Sequence, residues 1–163
     1  MKKKILFLCT GNSARSQMAE ALARLDHSQA VEAFSAGSRP TGGVHPNAVT
    51  AMAELGCDIR DARSKPASEF EAESFDAVVT VCDSAAQDCP SWPHATRIEH
   101  WSIEDPSFEP DPTHRKESFG QTRDDLRRRI AELVESLLVP EPPESRTSGG
   151  GSERERGSGG DPR

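Results

Sequence analysis

The start of the chain joins an apolar segment to an amphipathic segment through a short polar loop, and this order constrains the fold more than any other feature. Residues 5–8 are all apolar and end at Cys9, which predicts a buried parallel strand. Residues 11–13 are Gly-Asn-Ser, and from Ser16 onward apolar residues recur at helical spacing. A strand, a tight loop and a helix in this order open a β-α-β unit, so the predicted fold class is α/β.

The same alternation continues to about residue 138. Strands are predicted at residues 31–36, 75–81 and 96–101, and helices at residues 47–55 and in a last segment ending near Leu138. Strands that alternate with helices predict a mostly parallel sheet with helices on both faces. Because such sheets bind ligands at the carboxyl ends of their strands, Cys9, Cys82 and the Glu104-Asp105 pair are expected at one edge.

Composition and charge narrow the possible partners. The chain has 163 residues and a net charge of −7, and apart from three lysines at positions 2–4 its only basic run is Arg127 to Arg129. This argues against nucleic acid as the main partner. The longest apolar run is far shorter than the ~20 residues of a membrane span, so no membrane association is expected. Residues 1–139 are predicted to be one domain, and the Pro-, Gly- and Ser-rich residues 140–163 a disordered tail.

The chain has four cysteines, at positions 9, 57, 82 and 89. An even number suggests a disulfide framework, but such frameworks are typical of small secreted chains. The apolar run near the N-terminus is too short for a signal peptide and lacks a cleavage site. We therefore expect a cytoplasmic protein with reduced thiols, in which any disulfide is catalytic.

The loop after the first predicted strand has the pattern Cys-x5-Arg. Its residues are Cys9, Thr10, Gly11, Asn12, Ser13, Ala14, Arg15 and Ser16. Successive backbone N–H groups and a helix N-terminus form an anion site, which Arg15 extends with a bidentate guanidinium. Gly11 is expected to adopt a backbone conformation that a side chain would resist. The same positive field favours the thiolate of Cys9, with Ser13 or Ser16 bonded to the sulfur. The alternative is a buried cysteine in an ordinary strand-to-helix turn.

Residues 9–20 resemble the corresponding loop of the low-molecular-weight protein tyrosine phosphatase superfamily, and are most similar to its arsenate reductase branch. Residues 34–37, 45–48 and 75–82 support the resemblance, which covers roughly residues 3–138. It implies a four-stranded parallel sheet flanked by helices, with Cys9 as nucleophile. It also implies a general acid at Asp105. The alternative is that Asp105 is only a turn residue before Pro106. Ala14 stands where related reductases often carry a cysteine that is not the nucleophile.

The loop alone does not separate phosphate hydrolysis from arsenate reduction, because the two anions are nearly isosteric. A reductase needs further thiols, and Cys82 and Cys89 lie in a predicted polar loop beyond a strand. Half of a metal site and two incidental thiols are the alternatives for this pair. A metal is disfavoured because the spacing is not Cys-x2-Cys and His94 lacks a fourth partner.

The pair resembles the redox pair of thioredoxin-coupled arsenate reductases. That resemblance implies arsenate as substrate, a relay through Cys9, Cys82 and Cys89, no bound cofactor, and electrons from thioredoxin. The first alternative is a phosphatase that hydrolyses phosphomonoesters through a Cys9 thiophosphate, with Phe108 as an aromatic wall. The chain has no tyrosine, which such phosphatases typically carry near the Asp-Pro pair. A non-catalytic anion-binding module is the third hypothesis.

The resemblance also indicates residues that support the loop, namely Asn12, Glu20 and Ser35. Some thioredoxin-coupled relatives hold a potassium ion there and place an aspartate after the serine that corresponds to Ser64. This chain has Lys65 instead. We therefore predict that the lysine ammonium takes the place of the cation and that no potassium is required. The alternative is a lysine that points to solvent.

Overall fold

The predicted four-stranded parallel sheet is confirmed by the computed structural model, which describes residues 1–88 and 92–140. Its strands, all parallel, are β1 (Lys3–Cys9), β2 (Val31–Gly37), β3 (Phe75–Thr80) and β4 (Ala95–His100). The helices are α1 (Arg15–His27), α2 (Pro46–Ala53), α3 (Asp83–Asp88) and α4 (Pro112–Leu138). Short 3-10 helices span Ala67–Phe70 and Pro106–Phe108.

The strand order β2-β1-β3-β4 places the topological switch point of the sheet between β1 and β3. From β1 the chain moves to the neighbour on one side, and from β3 it moves to the neighbour on the other side. Leu8 pairs with Ala36 of β2 and with Thr80 of β3, so the carboxyl ends of these strands are level. The predicted ligand edge is therefore a crevice that Cys9 and Cys82 enter from the two central strands.

The two faces of the sheet are covered unequally. On one face, Ile5 and Phe7 belong to a large buried cluster that includes residues of α1 and α4. On the other face, Leu6 and Leu8 belong to a smaller cluster with Phe70 of the first 3-10 helix. Alternate residues of β1 point to opposite faces, and both sets are fully buried. The long helices thus stack on one side, leaving a short 3-10 helix on the other.

The segment after β3 differs from the predicted polar loop, because it begins as the helix α3. Ala86 N donates to Cys82 O over 3.2 Å and closes the first turn. Ala85 and Ala86 have high helix propensity, and Asp83 is favoured at a helix start by the helix dipole. The polar residues suggested a loop, whereas alanine propensity and an acidic first residue favour a helix. Cys89 lies outside the described residues.

The last helix, whose start the sequence leaves open, begins at Pro112. Asp111 caps it, because its Oδ1 accepts hydrogen bonds from Thr113 N (2.9 Å) and His114 N (3.1 Å). Gly120 lies inside the helix and does not interrupt it. The predicted disordered tail falls on residues 140–163, of which only Pro140 lies within the described residues, so that prediction stays open. None of the helices in the described part is both long enough and apolar enough to cross a membrane.

Candidate active site

Cys9 is the last residue of β1, and its thiol is enclosed by the loop that follows. The residue is 3% exposed. Its Sγ accepts a hydrogen bond from Asn12 N over 3.1 Å and lies 2.7 Å from Ser16 Oγ. Of the two predicted serines, the one on α1 therefore contacts the sulfur. Donors placed around a sulfur in this way stabilise negative charge on it.

The left-handed residue of the loop is Asn12, with a φ of 48°, so the expectation for Gly11 is wrong. Asparagine tolerates this conformation better than most residues because its short side chain bonds locally. The glycine that the loop requires is Gly37 at the end of β2. A Cβ there would lie 2.5 Å from Thr10 O and 2.9 Å from Asn12 N, so only glycine allows this close approach.

The side chain of Asn12 is the centre of the network that holds the loop. Its Nδ2 donates to Ser16 Oγ (2.9 Å) and to Ser35 Oγ (3.0 Å). Its Oδ1 accepts from Lys65 N (2.8 Å) and from Gln17 Nε2 (3.0 Å). Asn12 is fully buried, so each of these contacts is shielded from water. Sequence reasoning missed Gln17, although a glutamine next to the loop within the stretch that resembles the family was a usable signal.

A buried carboxylate and two cations lie behind this network. Glu20 Oε2 accepts a hydrogen bond from Ser35 Oγ over 2.9 Å and lies 3.7 Å from Lys65 Nζ. Its other oxygen is 3.0 Å from Arg24 Nη2. The Lys65 side chain is 12% exposed and donates to Arg63 O over 2.9 Å. Burial lowers the pKa of Lys65, and the nearby Glu20 opposes that shift. Lys65 thus points inward to the support of the loop rather than to solvent.

Arg15 and Asp105 lie together at the mouth of the loop. Arg15 Nη1 donates to Ile103 O over 2.8 Å, and Nη2 lies 3.5 Å from Asp105 Oδ2. Asp105 Oδ1 caps the Pro106–Phe108 turn by accepting from Ser107 N (2.9 Å) and Ser107 Oγ (2.6 Å). One carboxylate oxygen is therefore fixed by the turn, and the other faces the guanidinium. This arrangement leaves an acid next to the group that would clamp an anion.

Cys82 follows β3 and lies beside the Cys9 loop. It is 3% exposed, and its Sγ is 3.4 Å from Thr10 Oγ1, the hydroxyl of the residue next to Cys9. Ala85 N donates to the same sulfur over 3.3 Å. Cys9, Cys57 and Cys82 are all free thiols. Cys57 lies beyond α2, and burial raises its pKa.

A cavity of about 900 Å³ opens over the loop and brings the predicted catalytic residues together. Cys9, Arg15, Cys82 and Asp105 all line it. The fifth predicted residue, Cys89, is outside the described residues. Within residues 1–88 and 92–140, no group of three His, Cys, Asp or Glu side chains is placed to hold a metal ion.

The cavity wall also contains His45, for which the sequence predicted no role. Its Nδ1 accepts a hydrogen bond from Asn47 N over 3.1 Å and so caps α2. Its ring stacks on Phe119 of α4, with centroids 4.8 Å apart. His45 N donates to Ser13 O over 2.8 Å, which ties α2 to the loop. Burial lowers the pKa of this imidazole.

The fold and the site define a class: α/β proteins that hold a reactive thiol in an anion-binding loop between a strand and a helix. The chain belongs to the low molecular weight phosphotyrosine protein phosphatase family, whose sequence profile matches residues 4–140. It is similar to the arsenate reductase of Brevibacillus brevis, with 42% identity over 136 residues, 83% of this chain and 96% of the relative.

Two solved structures extend the comparison to the fold. One is an arsenate reductase in the phosphate binding state, with a TM-score of 0.73 and 32% identity over 84% of this chain and 99% of that one. The other is a thioredoxin-dependent arsenate reductase from Corynebacterium glutamicum, with a TM-score of 0.65 and 30% identity. That alignment covers 83% of this chain and 62% of the other. Both share the fold that the motif at residues 9–16 predicted.

Proposed function

We propose that this protein reduces arsenate to arsenite through three thiols, those of Cys9, Cys82 and Cys89. The observation that carries the proposal is a second buried thiol at the anion-binding loop. Cys82 Sγ lies 3.4 Å from Thr10 Oγ1, and both cysteines line one cavity. Hydrolysis of a phosphate ester needs no second thiol there, whereas reduction does. The similarity to proteins named arsenate reductase supports the same reading.

In the first step the Cys9 thiolate attacks arsenic and forms a sulfur–arsenic bond. Arg15 and the backbone N–H groups of the loop hold the oxyanion and stabilise the charge that develops on it. Asp105 supplies the proton with which the displaced oxygen leaves as water. Its place next to the Arg15 guanidinium, at 3.5 Å, supports this role.

In the second step the Cys82 thiolate attacks Cys9 Sγ. The electron pair of the sulfur–arsenic bond passes to arsenic, which is reduced from the pentavalent to the trivalent state and leaves as arsenite. The two sulfurs are oxidised to a Cys9–Cys82 disulfide. Cys89 then attacks Cys82 Sγ and displaces the Cys9 thiolate, which leaves a Cys82–Cys89 disulfide. These exchanges require a thiolate attacker at each stage.

The cycle closes when an external dithiol reduces the Cys82–Cys89 disulfide, and we propose thioredoxin for this role. The similarity to a thioredoxin-dependent arsenate reductase supports this donor. Electrons then reach arsenate through protein thiols alone, without a bound cofactor. Lys65 supplies the positive charge beside Glu20, so the proposal includes no required potassium ion.

The test is arsenate-dependent NADPH consumption in the presence of thioredoxin and thioredoxin reductase. Wild type is compared with Cys82→Ser and Cys89→Ser, and Cys57→Ser is the matched control. We expect both relay variants to fall at least about 100-fold in steady-state turnover, while the control retains wild-type turnover. A parallel assay with glutathione and glutaredoxin identifies the electron donor. Full turnover by both relay variants would exclude the relay.

Hydrolysis of phosphomonoesters is the second candidate function, because Phe108 is 83% exposed and lines the cavity beyond Asp105. An exposed aromatic ring in this position offers a stacking surface for an aryl leaving group. The reaction would proceed through a Cys9 thiophosphate and would not depend on Cys82. Consumption of aryl phosphate without any arsenate-dependent NADPH oxidation would favour this function over reduction.

A further inference from the structure

Four side chains join the carboxyl ends of β3 and β4 to the start of α3. Thr80 Oγ1 lies 2.7 Å from His100 Nδ1, and His100 Nε2 lies 2.8 Å from Asp83 Oδ1. Ser102 Oγ donates to the same Asp83 oxygen over 3.1 Å. We call Thr80, His100, Asp83 and Ser102 the Asp83 clamp. No step of the proposed reaction uses these residues.

The chemistry of the groups fixes the direction of these bonds. The Asp83 carboxylate only accepts, so His100 Nε2 carries the proton between them. In a neutral ring Nδ1 then accepts from the Thr80 hydroxyl, and in a protonated ring it donates to the same oxygen. The bonds from His100 and Ser102 lower the pKa of Asp83, so its carboxylate is ionised at neutral pH. The clamp is therefore closed in both charge states of the imidazole.

Two residues of the clamp lie on either side of Cys82 in the sequence. Thr80 and Asp83 flank it, and only Val81 lies with it between the two anchors. The helix that begins at Asp83 has six residues, too few to be stable without tertiary contacts. Cys82 itself has one side-chain contact to the Cys9 loop, the 3.4 Å approach to Thr10. Val81 N also donates to Leu8 O over 2.8 Å, and Ala85 N to Cys82 Sγ over 3.3 Å. The side chains of the clamp therefore act together with these backbone contacts to fix where this thiol lies.

We propose that Asp83 and His100 are positioning residues that hold the Cys82 thiol buried against the Cys9 loop. The consequence for arsenate reduction rests on the proposed function, because the clamp places the attacking sulfur for the second step. The positioning itself does not depend on that function. It predicts that opening the clamp exposes Cys82 and leaves the Cys9 loop intact.

The first experiment measures how fast iodoacetamide alkylates each thiol, by peptide mass spectrometry, in a Cys57→Ser/Cys89→Ser background. We expect Cys82 alkylation to rise about 10-fold in Asp83→Ala and in His100→Ala, since each loses a charge-assisted hydrogen bond. Asp83→Asn keeps an acceptor for His100 and is the matched control, expected within about twofold of the parent. The rate at which iodoacetamide alkylates Cys9 should not change.

A second measurement follows arsenite release in a single turnover of the same proteins. We expect about a 10-fold slower release in Asp83→Ala, rescue by Asp83→Asn, and unchanged hydrolysis of aryl phosphate by Cys9. Because the two residues act as one unit, the double alanine variant should be no slower than either single variant. Ser102→Ala removes one bond without changing α3 and should give a smaller rise in alkylation.

If Cys82 is alkylated at the parent rate in both Asp83→Ala and His100→Ala, and their circular dichroism spectra are unchanged, the proposal is overturned. If either single variant does not fold, Ser102→Ala and Asp83→Asn decide the question, and equal alkylation in these two would also overturn it. If the wild type releases no arsenite but Cys82 alkylation responds to the clamp, the proposed function fails and the clamp stands.

Discussion

The Cys9 loop and the Cys82 segment both present a buried thiol to one cavity, but they are held in different ways. The Cys9 loop is fixed from several directions by Asn12, by the close approach of Gly37, and by Glu20 with its two cations. The Cys82 segment is held by the Asp83 clamp, by one side-chain contact to Thr10, and by bonds from the backbone N–H groups of Val81 and Ala85. The side-chain network of the first is buried at Asn12, whereas the Asp83 clamp of the second is partly open to solvent, with the Asp83 side chain 73% exposed.

This difference fits the two tasks. A thiolate that attacks an oxyanion gains most from donors that do not move during the reaction. A relay thiol must meet one sulfur and then another, so it gains from support that can be released. We therefore expect changes in the loop to affect every reaction at Cys9, and changes near Cys82 to affect only the transfer of electrons.

The largest expected effect is that of Asn12→Ala. It leaves the buried partners Ser16, Ser35 and Gln17 without their bonds to this side chain and removes the residue suited to the left-handed conformation. Each of these three keeps another hydrogen bond, whereas Lys65 N loses its acceptor. A buried group left unpaired costs about 1–3 kcal/mol and each lost hydrogen bond about 0.5–1.5 kcal/mol, so we expect a loss of about 3–5 kcal/mol in unfolding free energy, measured with urea. Aryl phosphate hydrolysis and arsenate reduction should both fall by about 100-fold or more.

Asn47→Ala is the matched control for that change, because no hydrogen bond of the Asn47 side chain occurs among the described residues. We expect it to unfold at nearly the wild-type urea concentration. If Asn12→Ala lost arsenate reduction but kept aryl phosphate hydrolysis, the two regions would not differ as described above.

Gly37→Ala tests the close approach of β2 to the loop. The new Cβ would lie 2.5 Å from a backbone oxygen that cannot turn away, so the loop must shift. Overpacking of this kind costs about 1–3 kcal/mol, and we expect activity at Cys9 to fall about 10-fold or more. Gly43→Ala is the control, since a Cβ there meets nothing within 4 Å. Equal behaviour of the two variants in urea unfolding would contradict the role given to Gly37.

Lys65→Met tests whether the cation beside Glu20 supports the loop. The substitution leaves the nearly buried Glu20 carboxylate with Arg24 as its remaining cation among the described residues. We expect about 1–2 kcal/mol of destabilisation and a several-fold loss of activity, with Lys65→Arg retaining most of both. Wild-type activity should be equal in potassium and sodium buffers of the same ionic strength. A wild-type enzyme that needs potassium would show that Lys65 does not replace the ion.

Much of this site could be predicted from the sequence because its signals are local. The run of four apolar residues before Cys9 predicted β1, and the Cys-x5-Arg pattern predicted the anion loop. The position of Asn12 in left-handed backbone was not predictable, because glycine is the usual residue there and Gly11 stood next to it. The clamp depends on contacts between Asp83 and His100, 17 positions apart, that no local pattern encodes.

The smallest expected effect concerns His45, which joins α2 to the loop. Burial lowers the pKa of the folded imidazole, so the unfolded chain takes up the proton first as the pH falls through about 6.5. Stability is thus complete above that pH and decreases below it, since protonation also removes the acceptor that caps α2. His45→Asn keeps a capping acceptor without the titration. Between pH 7.5 and 5.5 we expect wild type to lose slightly more unfolding free energy in urea than this variant. Equal losses would show that protonation of His45 does not weaken the connection between α2 and the Cys9 loop.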